Sequence, residues 1–456
     1  MNSKINDKIN SKINKEDIID FVAIGVGPMN LGLACLTESI AELDGVFLDK
    51  KDTFEWHPGM MLQDTTLQIP FMADLVTLAD PTNPFSFLNY IKEQGRIYSF
   101  YIRENFLVLR NEYNQYCQWA IQKLSNIHFQ TEVNQILYNQ EEKYYTVFSN
   151  CTATNEQKIY KTRKLVLGTG TQPFVPKCCT DLKGKAIHSS TYLSHKEKLQ
   201  SKKTITVLGS GQSAAEIFYD LLQEIDTKGY ELNWITRSSR FFPLEYSKLT
   251  LEMTSPEYVD YFYDLPSNKR DDLIKNQKHL YKGINQDLIA NIYDLIYTKQ
   301  RTNRVKINLR TNSELKKATY DNSLEKFYLE IHQHEQDKYY QHQTEGLVLA
   351  TGYEYQQPKF IDGIEDQICW DEKGRYSVHR NYAIDHKGTD IFVQNAELHT
   401  HGFVTPDLGM ACYRNSYIIK ELTGTDYYPI EKRIAFQQFE VTEEEEIKVQ
   451  EPTQTV

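Results

Sequence analysis

No Cys-x-x-Cys occurs in this chain, and its seven cysteines (Cys35, Cys117, Cys151, Cys178, Cys179, Cys369 and Cys412) include only one adjacent pair. Cys178-Cys179 has the spacing of neither a zinc ligand pair nor a dithiol redox couple, so no metal site and no disulfide chemistry are expected. The odd number and wide scatter read as free thiols of a reducing compartment. No apolar run approaches the roughly 18 residues of a membrane span, and the N-terminal stretch has no signal-peptide core. The reading is a cytosolic protein with no membrane partner. Positive charge is also scarce: 51 Lys and Arg against 62 Asp and Glu leave a net −11, which argues against nucleic acid as a partner. What remains is ordinary globular material, 40% hydrophobic and 25% charged over 456 residues, enough for two or three domains. The 31 tyrosines read as compositional drift.

Two glycine fingerprints stand out. The first is Gly25-Val26-Gly27-Pro28-Met29-Asn30 and the second is Gly209-Ser210-Gly211-Gln212-Ser213-Ala214. Each follows a run that predicts a buried strand, Ile18 to Ile24 and Thr204 to Leu208, and each opens into an apolar-periodic helix. A strand, a glycine turn and a helix N-terminus form a pyrophosphate cradle, because the glycines admit close backbone approach and the helix end offers free N–H donors. One such motif is often only a turn. Two in context predict two bound dinucleotides and electron transfer between them.

The remaining pattern alternates strands and helices, which predicts an α/β fold with two Rossmann-like dinucleotide-binding domains. Further strands are expected at Gly45 to Leu48, Lys164 to Leu167, Leu232 to Thr236 and Gly346 to Ala350, and a helical stretch at roughly 267–302. The strands ending in Gly168-Thr169-Gly170 and Thr351-Gly352-Tyr353 flank the second unit, as insertion of one nucleotide domain into another requires; a tandem order without return is the alternative. The expected division is a polar tail of Ser/Asp-Lys-Ile-Asn repeats at 1–17, a first domain at 18–200, and an inserted domain at 201–345 with a helical part near 245–305. The first domain then resumes at 346–430, and a solvated acidic tail ends the chain at 431–456.

An acid at the end of the second strand of such a unit accepts from a ribose 2′-OH. Asp49, followed by Lys50, is in that place in the first unit and suits FAD or NAD. The second unit has no acid there but has Arg237 and Arg240, which suit the 2′-phosphate of NADP unless they are simply solvated. FAD in the first unit and NADPH in the second is the coherent pair. Without a redox cysteine pair, electrons from a reduced flavin would go to O2 or to another acceptor, as in a monooxygenase, an oxidase or a reductase.

The string Leu182-x-Gly184-x-x-x-His188-x-x-x-Tyr192 is similar to the linker signature of flavin monooxygenases, with Leu in place of the leading Phe. Whole segments resemble a narrower family: the first fingerprint, Trp56-His57-Pro58-Gly59-Met60, Gln68-Ile69-Pro70-Phe71, Asp74-Leu75-Val76, Pro81 through Tyr90, Gly211 through Glu216, Ala350 through Tyr353 and Thr400-His401-Gly402. These resemble, over about residues 18–425, the N-hydroxylating flavin monooxygenases of siderophore biosynthesis, which act on lysine, ornithine or diamines. Asn30 in place of a third glycine is itself a mark of that family. The resemblance implies that NADPH reduces FAD and O2 adds to the flavin as a C4a-hydroperoxide. A neutral primary amine then takes the distal oxygen while NADP+ stays bound. The cofactor carries the chemistry, so no acid, base or nucleophile of the chain is required.

Carried over position by position, the resemblance places Gly25, Gly27, Pro28, Asn30, Asp49, Lys50, Trp56, His57, Gln68 and the backbone of Leu408 and Gly409 at FAD. Gly209, Gly211, Gln212, Ser213, Arg237 and Arg240 fall at NADPH, with Gln212 the candidate for positioning the oxygenated flavin or NADP. His57 and His401 read as packed hydrogen bonders that position rather than catalyse; Trp56 and Tyr353 read equally well as core aromatics. The resemblance also implies a homo-oligomer, a tetramer in the family.

Substrate contacts would come from Gln68 and from positions 73 and 251. Amino-acid members of the family hold the substrate carboxylate with a Lys where this chain has Ala73, and with a polar residue where it has Leu251. A carboxylate desolvated against Ala and Leu would be unpaired, at a cost of about several kcal/mol. The expected substrate is therefore a decarboxylated amine, putrescine or cadaverine, with histamine as an alternative. Lysine or ornithine stays open if Lys248 or Lys282 supplies the missing cation. An NADPH oxidase or reductase without an amine substrate, and a non-catalytic nucleotide-binding protein, are the readings of another kind.

Overall fold

The computed structural model describes residues 18–447 apart from 183, 303 and 304; the repeats of 1–17 and the end of the acidic tail lie outside them. The first unit is a seven-stranded sheet. Its parallel part pairs Ile127–His128, Gly45–Leu48, Ile18–Ile24, the C-terminal half of Gln157–Leu167, and Ile391–Val393. The N-terminal half of Gln157–Leu167 continues into an antiparallel meander with Tyr144–Cys151 and Thr131–Asn139. Strand Ile18–Ile24 is apolar on both faces because both are covered. Phe21 and Ala23 pack with helices Pro28–Thr37, Arg110–Ile121 and Ala411–Thr423, while Val22 and Ile24 pack with Val133, Tyr145, Ile361 and Ile364. This period-two division of a continuous apolar run is the mark of a buried parallel strand.

The second unit is an all-parallel five-stranded sheet in the order Ile187–His188, Gly346–Leu349, Thr204–Leu208, Glu231–Ile235, Ile307–Arg310. Ile205 and Val207 face helices Gln212–Gln223 and Gln286–Thr302. Leu208, Ile235, Leu347 and Leu349 face an antiparallel three-stranded sheet at 313–344, through Ala318, Phe327, Leu329 and Ile331.

Two boundaries differ from expectation. The chain leaves the first unit before 187 rather than near 200, since Ile187–His188 already pairs in the second sheet and Tyr192 and Leu199 pack in its core. Strand Gly346–Leu349 also belongs to the second sheet, pairing with Ile205 to Leu208, so the return comes after Ala350. The physical reason is that a strand buried on both faces carries no sign of which sheet it joins. The outgoing and returning connections run side by side: Gln172–Pro173 pairs antiparallel with Tyr353–Glu354, and the Phe174 N–H donates to the Gly352 carbonyl at 2.9 Å. This double crossing is the geometry of an inserted domain.

The expected helical segment is three helices of ten residues or fewer, Lys248–Leu251, Pro256–Asp264 and Ser267–Asn276, and the longer Gln286–Thr302. Tyr258 and Phe262 pack on Phe403 of the first unit. Part of the expected solvated tail is docked on this segment. The backbone N–H groups of Ile434 and Ala435 donate to Glu257, those of Phe436 and Gln437 donate to Glu252, and Phe439 meets Tyr258 edge-on with ring centroids 5.0 Å apart. Two carboxylates that satisfy four backbone donors account for an ordered strap in an otherwise polar stretch.

Candidate active site

The two fingerprints have the same internal logic. Gly25 has φ +91° and Gly209 φ +146°, and a Cβ on either would stand 2.3 Å and 2.1 Å from the carbonyl oxygens of Gly168 and Ala350. The chain itself therefore requires these glycines. Gly27 and Gly211 are different. Both are extended N-cap residues, at φ −96° and −95°, a conformation any side chain adopts, and a Cβ on either meets nothing within 4 Å. Neither helix N-terminus receives a side-chain cap. Open space before uncapped helix N–H groups, kept clear by a glycine that the fold does not need, fits a pyrophosphate at both places.

Asn30 takes the place of a third glycine by bracing the loop. Its amide donates to the Gly25 carbonyl at 2.7 Å and accepts from Gln394 Nε2 at 2.7 Å, and a Cβ on Gly168 would come 2.4 Å from its Nδ2. Register then aligns the two candidate ribose-reading positions. Ile24 is opposite Leu48 and Leu208 is opposite Ile235, so Asp49 and Thr236 occupy the same position one residue on. Asp49 is buried and accepts from Val26 N–H at 2.7 Å and Lys51 N–H at 2.9 Å, which aims its carboxylate into the first turn. In the second unit Ser238 Oγ donates to Ser210 Oγ at 3.0 Å, tying the 236–240 loop to the fingerprint.

Arg237 is exposed beside that tie and makes no hydrogen bond or ion pair among the described residues, whereas Arg240 lies over the Phe242 ring at 4.5 Å. Lys282 is near Arg237 and Lys278, and burial followed by those two cations lowers its pKa. It adds positive potential beside Arg237. Lys248 is exposed at the start of its short helix. Lys50 is exposed, with Glu132 at 4.0 Å. For Arg237→Ala, KM for NADPH should rise roughly thirtyfold, about 2 kcal/mol for a charge-assisted contact, with NADH almost unaffected. Steady-state kinetics with both coenzymes checks this, and an equal loss with both would remove Arg237 as the phosphate reader.

Between the units runs a polar chain. Gln68 Nε2 donates to Gln212 Oε1 at 3.2 Å, Asn285 N–H donates to the same oxygen at 2.8 Å, and Gln212 Nε2 donates to Glu216 Oε1 at 2.9 Å. Arg110 closes the chain with a bidentate pair to Glu216, Nη2 to Oε1 at 2.7 Å and Nη1 to Oε2 at 2.9 Å, and Nη1 also donates to the Met60 carbonyl at 2.7 Å. The Glu216 side chain is 2% exposed. Sequence reading singled out Gln68 and Gln212 but missed Arg110 and Glu216. The one signal for Glu216 was an acid four residues after Gln212 on a helix whose neighbouring positions are apolar.

Around this junction, Trp56 packs on Tyr113 and His57, and His57 and His188 both contact Tyr353, with ring centroids 5.6 and 5.4 Å apart. His57 is left-handed at φ 54°, an uncommon state for a non-glycine residue. Desolvation by the surrounding protein, then the Arg110 and Lys51 cations, hold its pKa down to about 4. The residue is solvent-exposed, so water screens part of this, and the direction is toward a neutral imidazole at physiological pH. His401 is fully buried, with Thr400 Oγ1 at 2.9 Å from Nδ1 and the Arg380 carbonyl 3.1 Å from Nε2. Ala73 is buried, and its Cβ is 3.6 Å from where a Cβ on Gly409 would stand. Leu408 is partly buried against the first core. Leu251 is 46% exposed and belongs to no buried cluster, so the structure joins Ala73 to Gly409 but does not join Leu251 to them.

All seven cysteines are free, no group of described residues could hold a metal ion, and no described helix is long and apolar enough to cross a membrane. The family described as L-lysine 6-monooxygenase/L-ornithine 5-monooxygenase matches residues 17–355. The chain belongs to this family. It is 54% identical over 422 residues, 92% of this chain and 84% of the relative, to the putrescine N-hydroxylase of Shewanella oneidensis. Among solved structures it is similar to the FAD-bound cadaverine monooxygenase of the desferrioxamine pathway from Erwinia amylovora, at 57% identity and TM-score 0.92 over 93% of this chain and 99% of that one. An ornithine N-hydroxylase of Kutzneria sp. 744, solved with reduced FAD, NADP+ and L-ornithine, is 25% identical at TM-score 0.82 over 89% of this chain and 99% of that one.

Proposed function

We propose that this family member is an FAD- and NADPH-dependent monooxygenase that hydroxylates one amine nitrogen of a short aliphatic diamine, putrescine or cadaverine, in hydroxamate siderophore biosynthesis. The observation that carries the reading is the pair of glycine-kept cradles bridged by Gln68 and Gln212, with Ala73 beside Gly409. The similarity to a putrescine N-hydroxylase and a cadaverine monooxygenase supports the diamine over the amino acid.

Gly27 with the Pro28–Thr37 helix N-terminus and Asp49 would hold the pyrophosphate and ribose of FAD. Gly211 with the Gln212–Gln223 helix and Arg237 would hold NADPH. When bound, reduced FAD supplies the activated oxygen. The chain's own part is orientation and exclusion of water. Gln68 and Gln212 fix the junction, Trp56, His57 and Tyr353 wall it with rings, and the neutral His57 adds no cation beside an ammonium substrate.

NADPH-dependent hydroxylamine formation from putrescine, cadaverine, histamine, ornithine and lysine at equal concentration tests the proposal. The diamines should exceed both amino acids in kcat/KM by about 2–5 kcal/mol, roughly thirtyfold to several thousandfold, the value of a buried ionic partner. Faster hydroxylation of ornithine or lysine than of every decarboxylated amine would overturn the substrate and leave the monooxygenase. Peroxide formation indifferent to every amine would overturn the monooxygenase itself.

A further inference from the structure

We infer that Asp407 binds the distal ammonium of the diamine and so fixes substrate choice, an inference that rests on the diamine reading above. Asp407 precedes Leu408-Gly409, the backbone assigned to the flavin's neighbourhood, and its Oδ1 accepts from Gly409 N–H at 2.8 Å. A Cβ placed on Gly409 would lie 3.3 Å from that oxygen and 3.6 Å from the Ala73 Cβ, so the carboxylate and Ala73 flank one point. The acid therefore stands where the cleft lost its cation. Tyr246 neighbours both Asp407 and Gln68, which connects the carboxylate to the Gln68–Gln212 junction across one aromatic side chain.

The surrounding groups leave Asp407 without a counter-charge. Arg414, the cation that acts on it, is already held by Glu397 at 2.7 Å and by the Thr405 carbonyl at 2.8 Å. Tyr246 is neutral, since burial raises its hydroxyl pKa. Gly409 N–H is the one donor that reaches the carboxylate among the described residues. Burial raises the Asp407 pKa, opposed by the Gly409 N–H and Arg414, which is the condition of an acid awaiting a cation. An ammonium at one end of a diamine completes the pair. The α-carboxylate of ornithine or lysine brought to the same place meets a like charge, so one residue favours the diamine and disfavours the amino acid.

Asp407 is also the N-cap of the turn Leu408–Met410, and a purely structural acid would serve only there. Asn and Ser cap as well as Asp, so Asp407→Asn and Asp407→Ser keep the cap and remove the charge. The experiment measures kcat/KM for putrescine against 1-aminobutane, and for cadaverine against 1-aminopentane, in the FAD-loaded enzyme, with calorimetric binding of putrescine in the presence of NADP+. The wild type should prefer each diamine over its monoamine about a hundredfold. In both variants that ratio should fall toward one, mostly through KM, and putrescine binding should weaken by a similar factor. A wild-type ratio near one, or a ratio unchanged in either variant, overturns the assignment of Asp407. Hydroxylation of putrescine with that ratio unchanged would still uphold the diamine monooxygenase; absence of hydroxylamine from every amine would bring down the reading on which the inference rests.

Discussion

Gly27→Val should yield a folded, colourless apoprotein that takes up no FAD on reconstitution. The fold tolerates the side chain, since Gly27 is extended at φ −96°, ψ 180° and a Cβ there meets nothing within 4 Å. A residue before proline is confined to this extended region in any case, and Val occupies it readily. The branched side chain would instead project in front of the uncapped N-terminus of helix Pro28–Thr37, where the pyrophosphate must approach. Gly25→Val is the contrasting variant. Its φ of +91° and the Gly168 carbonyl 2.3 Å away make it fail by unfolding or insolubility, not by selective loss of flavin. Flavin absorbance after reconstitution, read beside circular dichroism of the apoprotein, separates the two. Normal flavin content in soluble Gly27→Val would overturn the first cradle, and a stable, colourless Gly25→Val would show that the two glycines do not divide the work this way.

What the sequence made legible was local. Strands Ile18–Ile24 and Thr204–Leu208, their glycine turns and the helices that follow lie within 20 residues of chain each, and hydrophobic period with turn chemistry specifies them. The aspartate after Leu48 and the missing acid after Ile235 were legible for the same reason. Partners chosen across the chain were not. Arg110 and Glu216 are 106 residues apart, and nothing near either shows that they meet. Strand Gly346–Leu349 announced itself as buried but not the sheet it joins. The tail at 431–456 read as solvated, because nothing in its own composition shows that the backbone of 434–437 donates to Glu252 and Glu257. Ala73 drew notice in the sequence through the resemblance alone, whereas Asp407, more than 300 residues away, escaped notice because its relation to Ala73 exists only in three dimensions.

Arg110→Met should lower stability by about 3–5 kcal/mol, the cost of leaving one buried charge without its partner. Glu216 is 2% exposed, and without the guanidinium only the Gln212 amide would remain to meet its carboxylate. The Arg110–Glu216 pair also joins helix Arg110–Ile121 of the first unit to the fingerprint helix of the second, so the loss extends to the junction between the two units. The double variant Arg110→Met with Glu216→Gln removes both charges and leaves Gln212 an acceptor. It should regain most of the lost stability, since exchanging a buried ion pair for neutral groups of similar size is often close to neutral. Urea unfolding of the four proteins of this cycle gives the coupling directly. Stopped-flow reduction of the bound flavin by NADPH should be slower in the single variant than in the double, if junction geometry follows the charge balance. Additive effects, with the double variant as unstable as the sum of the singles, would show that the pair is not the tie between the two units.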